Sequence, residues 1–273
     1  MGDGTKENPY TRDDVLRLIK ENGGIARGLD LSGMFFEKGI DLSKLNLRDI
    51  ILKEAFLRDA HFEGSELCGS HLERAYLEFA HFEGAELHFA RLESALLWSA
   101  EFPPNTKLEN VDWGSYILWE EMARTYSAAA ITYRRLKTWH TNAGMYDTAG
   151  EFFFREMTVR RKALKWLPNP FPRAWSKLLS LICGYGERPF RVIASAVVVV
   201  LGLALIYFAI GTLTPNTFLN SLYYSAVSFT ALGYGQWAPQ PTGWVKGLGA
   251  FEAFMGVFMM ALFLITFVRK MTR

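Results

Sequence analysis

From Leu42 onward every fifth residue is Leu or Phe: Leu42, Leu47, Leu52, Leu57, Phe62, Leu67, Leu72, Leu77, Phe82, Leu87, Leu92, Leu97 and Phe102, thirteen in succession. Two positions before each centre runs a second column, which opens with Ile40, Leu45 and Ile50 and is then only Ala or Ser as far as Ala100. Leu31 and Phe36 start the pattern, with one extra residue before Leu42. A period of five fits neither a 3.6-residue helix nor a two-residue strand alternation. It fits a solenoid that turns a corner every five residues and stacks a large and a small column inward.

The segment resembles the pentapeptide-repeat family, whose motif is A(D/N)LXX, over roughly residues 29–115. The resemblance implies a right-handed quadrilateral β-helix with twenty residues per coil, its coils stacked about 4.8 Å apart. The residue before each centre is often His, Glu or Tyr instead of Asp or Asn, which alters the outside and leaves the inward columns intact. Residues twenty apart then share an outer face. One face carries Phe56, Tyr76 and Leu96 with Phe79 and Trp98, and the other three are polar. An apolar stripe on one side of a solenoid predicts a docking surface, for a neighbouring chain or for the helices that follow. His61, Glu63, His81 and Glu83, or Cys68 with His88, have the chemistry to ligate a metal, but solvated polar stacks are the usual state and no metal is expected.

Before the repeats, Thr11 and Asp14 with Val15, Leu16, Leu18 and Ile19 predict a short helix stopped at Gly23-Gly24, an end cap. After them the period changes. Ala128, Ala129, Ile131, Tyr133, Leu136 and Trp139 suit a helix, Asn142-Ala143-Gly144 a turn, and Asp147 the cap of a second helix through Phe152, Phe153, Met157 and Leu164. This helical hairpin is expected to couple or oligomerise. Pro168, Pro170 and Pro172 are expected to break the helix. Beyond them, the amphipathic stretch 173–179 suits a membrane surface, and Arg160, Arg161, Lys162 and Arg173 are expected near anionic lipid.

Charge is segregated. Up to Glu187 there are 27 acidic and 24 basic residues, and beyond it one acidic and six basic. Val192 to Val245 is 54 residues without Asp, Glu, Lys or Arg, which excludes an ordinary water-exposed domain. Val192–Leu213 is about 33 Å long as a helix, enough to cross a bilayer core. Leu248–Val268 is a second apolar run interrupted by Glu252. The segment between them is uncharged but rich in Pro, Gly and Asn, and such backbone is tolerated at membrane depth only where protein buries it or water lines it. Arg188, Arg191, Arg269, Lys270 and Arg273 flank the outer ends of the spans, which places both termini in the cytoplasm. The first twenty residues have no apolar run, so no signal peptide is expected. Two distant cysteines, Cys68 and Cys183, form no disulfide framework.

Between the spans lie a short apolar helix, 218–229, then Thr230-Ala231-Leu232-Gly233-Tyr234-Gly235 and Gln236-Trp237-Ala238-Pro239. Gly233 and Gly235 let alternate carbonyls turn one way, and rows of such carbonyls replace the water shell of an alkali cation. From Arg188 to the C-terminus the chain resembles the pore of two-transmembrane potassium channels, whose filter is TVGYG followed by Asp and then Pro. The resemblance implies that the carbonyls of Ala231, Leu232, Gly233 and Tyr234 bind potassium, supported by Thr230, Gly235, Gln236 and the cuff residues Tyr223 and Tyr224. It also implies a hinge at Gly256. Ala231 replaces a Thr whose hydroxyl completes the innermost site, and Gln236 replaces the Asp behind the filter. Both departures bear on selectivity. A second Gly-Tyr-Gly, 184–186, has no pore helix before it and reads as a turn. Glu252 is read as a structural hydrogen-bond partner of Ser225 or Ser228, or as a cavity-facing charge.

The expectation is therefore a multidomain homotetramer in a bacterial plasma (inner) membrane, holding potassium and no organic cofactor. Its domains are an N-terminal cap at 1–28, a β-helix at 29–115, a helical hairpin and interfacial linker at 116–187, and an all-α pore domain at 188–273. A weakly selective potassium/sodium channel is the alternative within this class. A membrane-tethered interaction protein or DNA mimic is the alternative outside it, since residues 40–102 hold 12 acidic and six basic residues. No nucleic-acid partner is expected beyond that alternative. No nucleophile–base pair, metal-ligand spacing or phosphate loop suggests an enzyme.

Overall fold

The structure is a computed structural model and describes every residue except Met1, Trp166, Pro168, Asn169, Thr212, Thr214, residues 233–240, Thr242, Thr272 and Arg273. The chain divides into two compact units, residues 1–165 and 166–273. The division falls inside the segment 116–187: the hairpin belongs to the first unit and the amphipathic stretch to the second.

In the first unit α1 (Arg12–Glu21) begins at Thr11, whose side chain accepts from the Asp14 amide while the Asp14 carboxylate accepts from the Thr11 backbone, a reciprocal capping box. Its Val15 seats on the solenoid end. The repeats then stack as parallel bridges at a step of twenty, among them Asp41 with His61, Asn46 with Glu66 and Phe56 with Tyr76. The Leu47 amide donates to the Glu66 carbonyl at 2.8 Å and the Glu66 amide to the Leu45 carbonyl at 2.9 Å, so each face hydrogen-bonds to the next coil. Both inward columns are buried, except that Leu45 and Phe102 are partly exposed.

The corner residue is in the left-handed region at every turn from Lys44 to Ser99, including Asp59 (φ 59°), Phe79 (φ 60°) and Phe89 (φ 59°) as well as Gly64, Gly69 and Gly84. The β-helix implied by the resemblance is built of strands. Among the described residues the repeats form single-residue bridges and no strand, because a left-handed corner interrupts the extended backbone every five residues.

The solenoid core runs on through Leu108, Trp113 and Leu118 into a helical hairpin. The short α2 (Trp119–Met122) leads into it, and its two helices are α3 (Tyr126–Asn142) and α4 (Tyr146–Ala163). Asp147 does not cap α4: the N-cap is Met145, which makes no side-chain bond, and Asp147 lies in the acidic first turn. There its charge still opposes the positive end of the helix dipole.

The second unit contains α5 (Pro170–Cys183), a tight turn at Gly184–Gly186, α6 (Pro189–Ile210), α7 (Phe218–Thr230) and α8 (Val245–Met271). Pro170 and Pro172 start α5 instead of breaking a helix, since proline in a first turn loses no intrahelical bond. The helix before them has already ended at Ala163. Gly184-Tyr185-Gly186 is a turn, with Tyr185 at φ 59°. α6 has the 22 residues estimated for the first span but begins three residues earlier, at Pro189 in the first helical position, and ends at Ile210, whereas α8, at 27 residues, exceeds its estimate at both ends. Only 11% and 22% of their most apolar windows are buried, whereas the core helix of a water-soluble protein is mostly covered.

Candidate functional site: a short helix held between two spans

α7 is fixed at both ends. Thr217 caps it by accepting from the Asn220 amide at 3.2 Å. At the other end Ala231 adopts φ 53°, the left-handed stop that glycine usually supplies. The Thr230 hydroxyl turns back onto the Ala226 carbonyl at 2.7 Å, so it braces the last turn of this helix. Leu232 follows, 81% exposed. Gly233, Tyr234, Gly235 and Gln236 lie outside the described residues, so of the expected ion ligands the structure describes Ala231 and Leu232.

Behind α7 a polar knot joins three helices. Glu252 on α8 is fully buried and accepts from the Tyr207 hydroxyl of α6 at 2.8 Å and from the Ser225 hydroxyl of α7. The same Ser225 proton is shared with the Val200 carbonyl of α6, whose oxygen is 2.9 Å from the hydroxyl, in a three-centre arrangement. Ser228 is not part of the knot, because its hydroxyl bonds to the Tyr224 carbonyl at 2.8 Å. Tyr224 is buried with its ring edge-on to Tyr207 at 5.0 Å, whereas Tyr223 is 45% exposed, so the two neighbouring tyrosines occupy different environments.

One turn beyond Glu252, Gly256 is buried where α8 crosses α7, and a Cβ there would run into the Phe229 carbonyl. The approach is backbone to side-chain-free backbone, as in membrane helices that pack through small residues. α8 is continuous through this point. Phe229 packs with Val192, Met259 and Cys183, which ties α7 to both spans. Sequence reasoning missed Tyr207 as the partner of Glu252. The available signal was a tyrosine inside an aliphatic span, where a buried hydroxyl needs an acceptor.

These features place a short helix between two membrane-length helices, ending in a glycine-containing segment. Residues 190–273 match the ion channel family model. The chain is a membrane protein with two candidate spans and an ion channel domain. Residues 60–98 match the family of pentapeptide repeats, in eight copies. Neither family is one of enzymes.

Among solved structures, a pentapeptide repeat protein from the cyanobacterium Cyanothece 51142 is 31% identical over 33% of this chain and 60% of its own, with a TM-score of 0.31. A pentapeptide repeat protein from the Arabidopsis thaliana thylakoid lumen is 26% identical over 38% of this chain and 77% of its own, with a TM-score of 0.15. HetL from Nostoc, a pentapeptide repeat protein involved in heterocyst differentiation regulation, is 22% identical over 36% of this chain and 56% of its own, with a TM-score of 0.14. The chain thus spans 60% of the length of the first of these. It has no significant match among curated proteins.

In the repeat unit the apolar stripe is partly covered by the chain itself. Phe35, Phe56 and Tyr76 stack ring on ring at 4.0 and 4.5 Å, and Tyr76 meets Trp119 of α2 at 6.0 Å. Leu96 is buried, and the Trp119 amide donates to the adjacent Ala95 carbonyl. The element that meets this part of the stripe is α2, the short helix that precedes the hairpin. Phe79 lies edge-on to Trp98 with Arg58 over its ring, and Trp98 stays 40% exposed.

Of the cations expected at a lipid surface, Arg160 pairs with Glu156 at 2.6 Å and Lys162 with Glu121 at 2.7 Å. Lipid contact would compete with those pairs. His61 bonds Glu63 at 2.8 Å and His81 bonds Glu101 at 3.2 Å. Among the described residues no group of three or more His, Cys, Asp or Glu is placed to hold a metal ion.

Proposed function

We propose that the chain is one subunit of a potassium-type cation channel in a bacterial plasma membrane, with both termini in the cytoplasm and the repeat unit serving assembly or gating. The observation that carries this reading is α7. It is an apolar helix pinned between α6 and α8 that ends at Thr230, directly before the carbonyl-bearing segment Ala231-Leu232-Gly233-Tyr234. Backbone carbonyls in such a segment suit a dehydrated alkali cation, and a ring of them requires several chains.

Four subunits around one axis would supply four such segments, a closed cyclic arrangement. The exposed apolar faces of α6 and α8, with Val198, Leu205, Phe254 and Ile265 among their residues, offer surface for both lipid and neighbouring subunits. In this reading Thr230, Gly235, Gln236, Tyr223 and Tyr224 support the filter, and Gly256 is the hinge of the inner helix. Ala231 contributes no hydroxyl at the innermost site, which favours looser selection between potassium and sodium as the second reading.

Ion flux from the purified full chain in liposomes tests the assignment, with wild type conducting and Gly233→Ala not. Equal flux from the two proteins would remove the pore. Reversal potentials under opposed potassium and sodium gradients separate the two readings, equal permeability favouring the second.

A further inference from the structure

The repeat unit contains a cleft that neither the pore nor the solenoid core requires. A cavity of about 500 Å³ opens where the last regular coil meets α3. Its position follows from an irregularity in the repeat. From Asp41 with His61 the bridges keep a step of twenty up to His81 with Glu101, then shift to twenty-one at Glu86 with Lys107 and Arg91 with Asp112. The extra residue falls between Glu101 and Lys107, where Pro103-Pro104 carries the chain along the cleft.

The lining is flat and apolar on one side. Phe102 is the last ring of an internal ladder, stacked on Phe82 at 5.0 Å as Phe82 is on Phe62 at 5.1 Å, and it is partly exposed at the cleft. Trp139 is held by its indole N–H, which donates to the Pro103 carbonyl at 3.1 Å. Two immobilised rings and two prolines form walls suited to a planar group.

The electrostatics favour an anion. Arg135 lines the cleft and has no hydrogen-bond or ion-pair partner among the described residues. Arg134, also at the cleft, shares the buried Glu156 carboxylate with Lys137 and Arg160, at 3.0, 3.1 and 2.6 Å. Three cations on one carboxylate leave an excess of positive charge beside the cleft. The opposing group is Glu101, which His81 engages at 3.2 Å.

We propose that this cleft binds a small organic anion carrying a planar ring, with the ring against Phe102, Trp139 and the two prolines and its phosphate or carboxylate on Arg135. The volume falls within the range of small-molecule sites and is too small for a folded partner. The proposal does not rest on the pore.

Calorimetric titration of the full chain in lipid nanodiscs tests it. The probes are three ring-bearing anions (AMP, flavin mononucleotide and indole-3-propionate), the neutral adenosine and riboflavin, and the ringless inorganic phosphate and acetate. At least one ring-bearing anion is expected to saturate at one per chain, with its neutral or ringless counterpart about tenfold weaker, and the exposed substitution Arg135→Gln is expected to weaken it by about tenfold. Thr138→Trp, which fills the cleft from α3, is expected to abolish binding. The proposal fails if none of the three ring-bearing anions saturates, or if Arg135→Gln and Thr138→Trp both leave binding unchanged. Wild-type ion flux measured on the same preparation reports on the pore separately.

Discussion

The polar knot at Glu252 makes a quantitative claim about what holds α7 between the spans. Replacing Glu252 by Ala removes the acceptor for two hydroxyls, those of Tyr207 and Ser225. The two losses are unequal. Ser225 keeps its bond to the Val200 carbonyl at 2.9 Å, whereas Tyr207 loses an acceptor at 2.8 Å. Hydrogen bonds between membrane helices are worth about 0.6 kcal/mol on average and about 1.7 at most. Full burial puts the Tyr207 bond near the upper end and the shared Ser225 bond near the lower, so Glu252→Ala is expected to cost about 2 kcal/mol, with a further contribution from the cavity. Tyr207→Phe alone is expected to cost about 1 to 1.7 kcal/mol. Because the two residues act through one bond, Tyr207→Phe in the Glu252→Ala background is expected to cost almost nothing, a coupling of about 1 kcal/mol or more. Equilibrium unfolding of the full chain in mixed micelles, run on the four proteins of the cycle, measures each quantity. Additive losses, or a Glu252→Ala protein within about 0.5 kcal/mol of wild type, would refute the clamp.

Glu120 predicts a pH effect in the repeat unit. Burial raises its pKa from 4.5 to about 7, and one carboxylate oxygen accepts from the Leu97 amide and the Thr132 hydroxyl, each at 3.2 Å. The folded state therefore binds a proton that the unfolded state has released between about pH 4.5 and 7. Stability should fall by about 3 kcal/mol as pH rises through that window, and Glu120→Gln should flatten the slope in thermal melts at stepped pH. Phe89, at φ 59° and 66% exposed, occupies a corner where a side chain is strained; Phe89→Asn is expected to stabilise the protein by about 0.5 to 1 kcal/mol in denaturant unfolding. Phe82→Ala removes the middle ring of the Phe62, Phe82 and Phe102 ladder and should cost about 3 to 5 kcal/mol in the same assay. Gly256→Ala should push α8 away from the Phe229 carbonyl and lower the stability of the second unit, whereas Gly247→Ala, with open space around it, should be neutral.

Repeats and spans were legible in the sequence because each is written as a one-dimensional pattern. The Leu/Phe column of period five sets which side chains face inward whatever their neighbours, and the four-sided coil that the family resemblance implies sets the step of twenty. A long charge-free apolar run likewise meets the length condition for a membrane helix without reference to any contact. Even the extra residue before Leu42 was visible, and it appears as the step of twenty-one from Phe35 to Phe56.

What tertiary structure decided is which non-periodic residues meet. Tyr207, Ser225 and Glu252 lie on three helices, separated in sequence by 18 and 27 residues, and no spacing rule joins them. Trp119 lies outside the period-five columns, yet its ring lies against Tyr76, 43 positions earlier. Pro170 and Pro172 signal a break in a sequence, but whether they end one helix or begin the next depends on where the preceding helix stops. Periodic residues carry their partners' positions in their own spacing. Buried polar groups and covering helices acquire partners only when separate elements pack, so the solenoid and the spans were set by sequence pattern, and the Glu252 clamp and the cleft at Arg135 by the fold.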